Sequence, residues 1–212
     1  MSIRLILCLL LMYIEHLVIF WSYSFVWLIA FRKRIFINAK DAKNVALHSM
    51  RIQLYVLPIC GCVFYYLYNK LDHQQIIFTK PKFNLFELSQ WICMVLWEDF
   101  IFYHVHRLLH LPTFYNLHKL HHSWIEPVPW EAMYASVPEN ILANFFPMFI
   151  APLIVGLNIY YLMVWVALST FASLISHSNI IGDHHTLHHK HFNVNYGVLG
   201  IFDKIYGTDQ SE

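Results

Sequence analysis

Residues 3–31 form a single apolar stretch, broken only by Arg4, Glu15 and His16. The hydrocarbon core of a bilayer takes about 20 residues of helix to cross, so this segment is long enough to span it. Arg4 followed by ILCLLLMYI has the look of a secretory leader. The apolar run continues past leader length without a small-residue cleavage site, so an uncleaved anchor is expected. Residues 52–68 make a second, shorter candidate, and a third begins near Phe86 and runs into Glu98 and Asp99. Residues 141–176 are apolar throughout except near Gly156 and Asn158, which fits two spans joined by a tight turn at Gly156-Leu157-Asn158. The expectation is an all-α fold: an integral membrane helical bundle of about 4–5 transmembrane segments, multi-pass, with a histidine-rich cap on the cytosolic side.

Orientation follows the basic residues. Arg32, Lys33, Arg34, Lys40, Lys43 and Arg51 gather between the first and second spans, so this loop is expected in the cytoplasm. Counting spans onward puts His104–Trp130 and everything after His177 in that same compartment, and leaves Lys70, Lys80 and Lys82 on the opposite side. Charged residues are only 13% of the chain, about half the share of a soluble domain, and the net charge of +1 gives no footprint for nucleic acid. Cys8, Cys60, Cys62 and Cys93 lie inside apolar runs and are read as small buried hydrophobes, not as a disulfide framework. The chain divides into N-terminal membrane-anchoring segments, 1–83, and a histidine-bearing unit, 84–212.

Fifteen histidines are the compositional outlier, and twelve of them fall between His104 and His191. Three clusters stand out. In EDFIFYHVHRLLH, His106 and His110 are one helical turn apart on one face, with Tyr103 and Asp99 on the same stripe. Asp99 is therefore a candidate to accept a hydrogen bond from the nitrogen of an imidazole that does not bind metal. In HKLHH, His118 meets His121 and His122 across a turn. In HTLHH, His185 meets His188 and His189; His184 adds a pair with His188, and His177 stands upstream.

One such pair would be an ordinary polar helix face. Eight imidazoles at turn spacing beside a membrane need a common partner, which a divalent cation supplies. Zinc is satisfied by four ligands, so eight are too many for one ion and two ions are the economical count. Imidazole suits zinc, copper and iron alike, and the pattern does not choose among them.

The order H-x-x-x-H, H-x-x-H-H, H-x-x-H-H between hydrophobic hairpins resembles the fatty acid hydroxylase superfamily, which includes sterol desaturases, methylsterol oxidases and lipid hydroxylases. The likeness extends over about residues 90–208, from DFIFYHVHRLLH to the closing HHTLHHKHFNVNYGVLGIFDKIYGT. The resemblance implies a non-haem di-iron oxygenase of the endoplasmic reticulum membrane. Such an enzyme uses O2, and electrons from NAD(P)H relayed by a separate b-type cytochrome donor, to hydroxylate or desaturate a lipid. A sterol is the leading substrate class; a fatty-acyl or sphingolipid substrate is the alternative, and a non-catalytic zinc-binding membrane protein the competing reading. By family position, His106, His110, His118, His121, His122, His185, His188 and His189 would hold two Fe ions, with His177 and His184 as further positions. The chain departs from the family at Ser136, where many relatives carry histidine, at His104, and in the short connection from His177 to His184. His16, His48 and His73 are expected to be incidental. Glu131 is expected to cap local backbone, and Arg107 to pair with Glu98 or Asp99 or to reach the headgroups.

Overall fold

A computed structural model describes residues 3–31, 39–70, 76–78, 80–125, 127–178 and 184–211. Arg32, Lys33 and Arg34 of the basic loop, the Lys40 side chain, His73 and residues 179–183 of the short connection lie outside them.

The elements are α1 (Ile3–Phe31), α2 (Ala39–Arg51), α3 (Leu57–Lys70), β1 (Ile76–Ile77), α4 (Leu85–Leu109), α5 (Tyr115–His118), α6 (Val137–Glu139), α7 (Phe146–Val155), β2 (Leu157–Asn158), α8 (Ile159–Ser176), α9 (His184–His191) and α10 (Ile201–Tyr206). Four continuous helical stretches are long and apolar enough to cross a membrane: Ile3–Phe31, Asp41–Lys70, Val137–Val155 and Ile159–Ser176. With α4, which is 25 residues long and carries the acids Glu87, Glu98 and Asp99, they form the bundle the apolar pattern calls for. The protein is a multi-pass membrane protein. Its α1 exposes Ile6, Leu7, Leu10, Leu11 and Ile14, an apolar surface suited to contact with lipid.

The turn expected at Gly156-Leu157-Asn158 is present. Gly156 takes φ 72, a conformation that suits glycine, and the Asn158 side chain accepts the N–H of Tyr160 to start α8. Beside it, β1 and β2 pair in parallel over two residues, the only strands among the described residues. The second span is longer than its apolar window. It continues from α2 into α3 through a widened π-helical turn at Ile52–Val56, and a second such turn, Asn140–Phe145, joins α6 to α7. Each ends two residues before a proline, Pro58 or Pro147. A proline has no N–H to give the carbonyl four residues back and its ring presses on that carbonyl, so the preceding turn opens.

Helices α1 and α8 run side by side in the same direction. Leu5 shares a core with Leu157 and Ile159, His16 meets Thr170 midway, and the Trp27 indole donates to the Ser178 carbonyl at the far end. A first core layer holds Leu5, Phe64, Met94 and Leu162; a second, nearer the histidines, holds Phe20, Trp27, Val45, Trp130 and Leu174. His48 donates to the Ala135 carbonyl and Ser49 to that of Trp130, so α2 sits at the histidine end. The start of α4 lies at the other end, where Gln90 donates to the Val155 carbonyl and Tyr161 to Glu87. Lys80 and Lys82 precede that start and are thus remote from the histidines.

Candidate metal centre

Nine histidines from five separate segments converge beyond the spans. Helix α4 ends in His106 and His110. Helix α5 ends in His118, a short 3-10 turn carries His121 and His122, His177 caps α8, and α9 supplies His185, His188 and His189. They sort into two groups, His106, His110, His118, His122 and His188 in one, and His121, His177, His185 and His189 in the other; within each, the ligand nitrogens all lie within 4.8 Å of one another.

Facing nitrogens are closer than that. In the first group the Nε2 atoms of His106 and His118 are 3.1 Å apart, those of His118 and His122 2.9 Å, and those of His188 are 3.1 Å from both His110 and His122. In the second group His177 lies 3.3 Å from His121 and 3.1 Å from His185, which is 3.2 Å from His189. Imidazole nitrogens bound to one ion at about 2.0–2.1 Å are separated by roughly 2.9–3.4 Å in octahedral or tetrahedral arrangements. The observed spacings fall in this range.

The outer hydrogen bonds decide which nitrogen carries the proton. The Nδ1–H of His106 donates to the Tyr196 carbonyl at 2.7 Å, that of His188 to Val194 at 2.6 Å, that of His177 to Ser173 at 2.7 Å and that of His189 to Trp124 at 3.0 Å. A carbonyl can only accept, so in each neutral ring Nδ1 holds the hydrogen and Nε2 is a bare lone pair. Burial is the main reason these rings stay neutral, and the surrounding imidazoles reinforce it. His106 and His177 are lowered to about 4, His189 to about 3 and His110 to about 2, and His118, His121, His122, His185 and His188 are lowered as well. Bare lone pairs aimed at one another across 3 Å repel unless a cation lies between them. The residues therefore fit two metal ions.

One carboxylate does touch a ligand ring: Glu139 Oε1 accepts from His118 Nδ1 at 2.6 Å. Nothing in its spacing flags it, because it sits 21 residues away on another helix. Asp99, expected in that role, meets no imidazole among the described residues. Its Oδ1 accepts the backbone N–H groups of Val198 and Leu199 at 2.9 and 2.8 Å, so it pins the C-terminal segment that carries the Tyr196 carbonyl. The helical stripe puts Asp99 on the face of His106, two turns before it, but could not show that a loop nearly 100 residues later takes up its oxygen.

His184 also stands apart from both groups. Its Nε2 donates to Asp203 Oδ2 at 3.1 Å. Asp203 is the hub of a clasp made by the closing motif: its Oδ1 accepts from Tyr196 N and Thr208 Oγ1, each at 2.7 Å, and its Oδ2 from Gly197 N at 2.7 Å. Burial raises the Asp203 pKa, but the hydrogen bonds from His184, Thr208 and the two backbone N–H groups outweigh it and hold the carboxyl below its ordinary value. Gly197 is required here, because a Cβ would lie 2.8 Å from Asp203 Oδ2.

The remaining sequence candidates resolve simply. Glu131 accepts the Val128 N–H, and burial raises its carboxyl to about 9, so it caps backbone as expected. Arg107 donates to the Tyr103 hydroxyl. His104 is exposed and bonded to its own helix. Ser136, in place of a family histidine, accepts the Glu139 N–H and starts the helix that holds Glu139. All four cysteines are free.

An apolar cavity of about 950 Å3 runs from the bundle interior to both groups. Leu10, Phe20, Tyr65, Phe149 and Val166 are among its walls, and His106, His118, His121, His177 and His185 stand at its inner end.

Comparison with known proteins agrees with this geometry. The family model "Fatty acid hydroxylase" matches residues 91–208, the segment that carries every histidine of both groups. The human "Fatty acid hydroxylase domain-containing protein 2" is 37% identical over 136 residues, covering 61% of this chain and 40% of the relative. "Delta(7)-sterol 5(6)-desaturase ERG3A" of Gibberella zeae is 36% identical over 137 residues, 58% of this chain and 38% of the relative. "Fatty acid hydroxylase ahd1" of Mycosarcoma maydis is 32% identical over 131 residues, 58% and 34% respectively. The chain thus spans about two fifths of the length of the curated relatives named fatty acid hydroxylase domain-containing protein 2. No solved structure matches it.

Proposed function

The chain belongs to the fatty acid hydroxylase family, and on that premise we propose that it is a membrane-bound, O2-dependent lipid oxidoreductase, a hydroxylase or desaturase, holding one iron in each histidine group. The observation that carries this reading is the apolar cavity ending on both groups. Its volume lies at the upper end of the range for sites that bury small molecules, and its wall offers no medium for a water-soluble substrate. The chemistry that bound iron supplies is dioxygen-dependent oxidation of an unactivated C–H bond, with electrons from NAD(P)H through a separate b-type cytochrome donor.

The chain's own side chains prepare that chemistry. Carbonyls of Ser173, Val194, Tyr196 and Trp124 and the carboxylate of Glu139 hold the Nδ1 protons and fix five ring planes, so the Nε2 atoms need no rearrangement to bind a cation. The apolar walls exclude water and align a lipid with its reacting carbon toward the histidines. A sterol is the substrate class we favour, in line with the relatives named sterol desaturases; a fatty-acyl or sphingolipid chain is the alternative. The cytosolic side for the histidine cap is read from the basic residues between the first two spans, and the endoplasmic reticulum is the membrane that the family resemblance implies for a eukaryotic chain.

A second reading has its own support: His121, His177, His185 and His189 number four, the count that closes a structural zinc site. Metal analysis of the purified chain separates the two. About two irons per chain, reduced to about one by His121→Ala, together with oxygen-dependent conversion of a lipid, supports the oxygenase. Stoichiometric zinc without oxygen consumption refutes it. Lipid profiles of cells with and without the gene then assign the substrate, through accumulation of a sterol precursor or of an unmodified acyl chain.

A further inference from the structure

His16, incidental by its sequence position, is part of a directed hydrogen-bond chain within the membrane-spanning part of the bundle. The Trp21 indole, which can only donate, gives its N–H to Gln53 Oε1 at 2.8 Å. That fixes the Gln53 amide, whose Nε2 donates to His16 Nε2 at 3.1 Å. His16 Nδ1 therefore carries the ring hydrogen and donates it to Thr170 Oγ1 at 2.9 Å, and the Thr170 hydroxyl donates to the Val166 carbonyl at 2.7 Å. Gln53 is fully buried behind the others, in the π-helical turn at Ile52–Val56, and such turns recur at functional positions.

Two members, His16 and Thr170, line the cavity. Thr170 Oγ1 gives one hydrogen bond and receives one, which leaves it a single lone pair. Polar side chains at this depth are costly and are retained for a task. Thr170 is seven residues before His177 on α8, so the acceptor lies about 10 Å along the helix axis from the metal groups. Glu98, which takes the Trp165 N–H and also lines the cavity, is eight residues before His106 on α4, a comparable depth of about 12 Å.

We propose that Thr170, oriented by His16 and Gln53, is a binding site for the hydroxyl group of the lipid, and that the substrate carries this hydroxyl about 10 Å from the carbon presented to the histidines. This rests on the cavity being a lipid site. It gives a mostly apolar channel a polar anchor, and it selects lipid alcohols over hydrocarbons of equal length. A lipid seated this way presents a carbon remote from its own hydroxyl, on a long chain or at the far side of a fused ring system.

The test is equilibrium binding of two radiolabelled pairs, octadecanol with octadecane and cholesterol with cholestene, to the purified full chain in detergent. At least one alcohol is expected to bind about 2- to 10-fold more tightly than its hydrocarbon, the range of one neutral hydrogen bond. The pair that shows it identifies the skeleton. Thr170→Val, which keeps the branched shape, is expected to abolish the preference without changing hydrocarbon binding, and Thr170→Ser to restore it. Equal binding of alcohol and hydrocarbon to the unaltered chain, or a preference that persists in Thr170→Val, overturns the assignment while the lipid cavity stands. Binding of none of the four lipids overturns the lipid cavity itself.

Discussion

Substituting Asp203 by asparagine exchanges one carboxylate oxygen for an NH2 group inside the clasp. Four donors point at the carboxylate: Tyr196 N and Thr208 Oγ1 at Oδ1, Gly197 N and His184 Nε2 at Oδ2. The Thr208 hydroxyl can rotate and His184 can change tautomer to accept from the NH2, but the two backbone N–H groups can only donate; at the Oδ1 position the NH2 meets Thr208 and Tyr196, at the Oδ2 position His184 and Gly197. Either way one backbone N–H, of Tyr196 or of Gly197, faces another donor. Asp203 is fully buried, so the loss of that charge-assisted bond costs about 1.5–3 kcal/mol. The strain falls on the Tyr196–Gly197 segment, whose Tyr196 carbonyl holds His106, and on the loop whose Val194 carbonyl holds His188, both in the five-histidine group. In the other group His177 and His189 are held by Ser173 and Trp124, outside the clasp. Losing an outer partner of a ligand lowers metal affinity about 10- to 100-fold. Titration of metal-stripped protein with Co2+, followed by its visible absorption, is therefore expected to show two sites of which Asp203→Asn weakens one. Equal weakening of both, or of neither, would refute the reasoning that the closing motif serves one group through two carbonyls.

Glu139→Gln keeps an acceptor for the His118 N–H but removes the charge that strengthens it. We expect the same Co2+ site to weaken about 10-fold, and Glu139→Ala, which leaves that N–H bare, to weaken it nearer 100-fold; unchanged titrations would place the control of His118 elsewhere. Acidification is expected to destabilise the metal-free protein below about pH 6.5. His106 and His177 titrate near 4 when folded and near 6.5 when unfolded, so between those values the unfolded chain binds more protons and stability falls as pH falls. Each contributes a loss of about 1.4 kcal/mol at pH 5.5, and a thermal midpoint that is flat from pH 7 to 5 would contradict the buried, neutral state of these rings.

The spans, the turn at Gly156 and the histidine clusters were legible because each rests on local chemistry: a run of apolar residues, a glycine with a following cap, imidazoles one turn apart. What the chain did not reveal depends on residues distant in sequence. Asp99 and Glu139 illustrate it. Helical spacing puts Asp99 on the face of His106, yet Val198 and Leu199 occupy its oxygen, and Glu139 reaches His118 from another helix. His184 has the spacing of a ligand to His188 but turns to Asp203. His16 lacks any sequence neighbour that would mark it, because its partners come from the second and last spans.

The least legible property is how the histidines divide between the groups. His121 and His122 are adjacent, and so are His188 and His189, yet each pair is split, one ring to each group. Adjacent residues on a helical turn diverge by about 100°, so a two-residue pair can face two centres only if those centres flank the turn. The 3-10 turn after α5 and the helix α9 therefore lie between the groups and serve both. Spacing alone pairs His118 with both His121 and His122, but the backbone turn separates His121 into the four-membered group with His177. His177 caps a span that carries no other histidine, so its role comes from the end of α8 meeting α9. Because the same two short segments supply both groups, neither group can be assembled without the segments that also build the other. The two sites are one structural unit, which accounts for a single sequence block, from His106 to the Asp203 clasp, carrying the whole constellation.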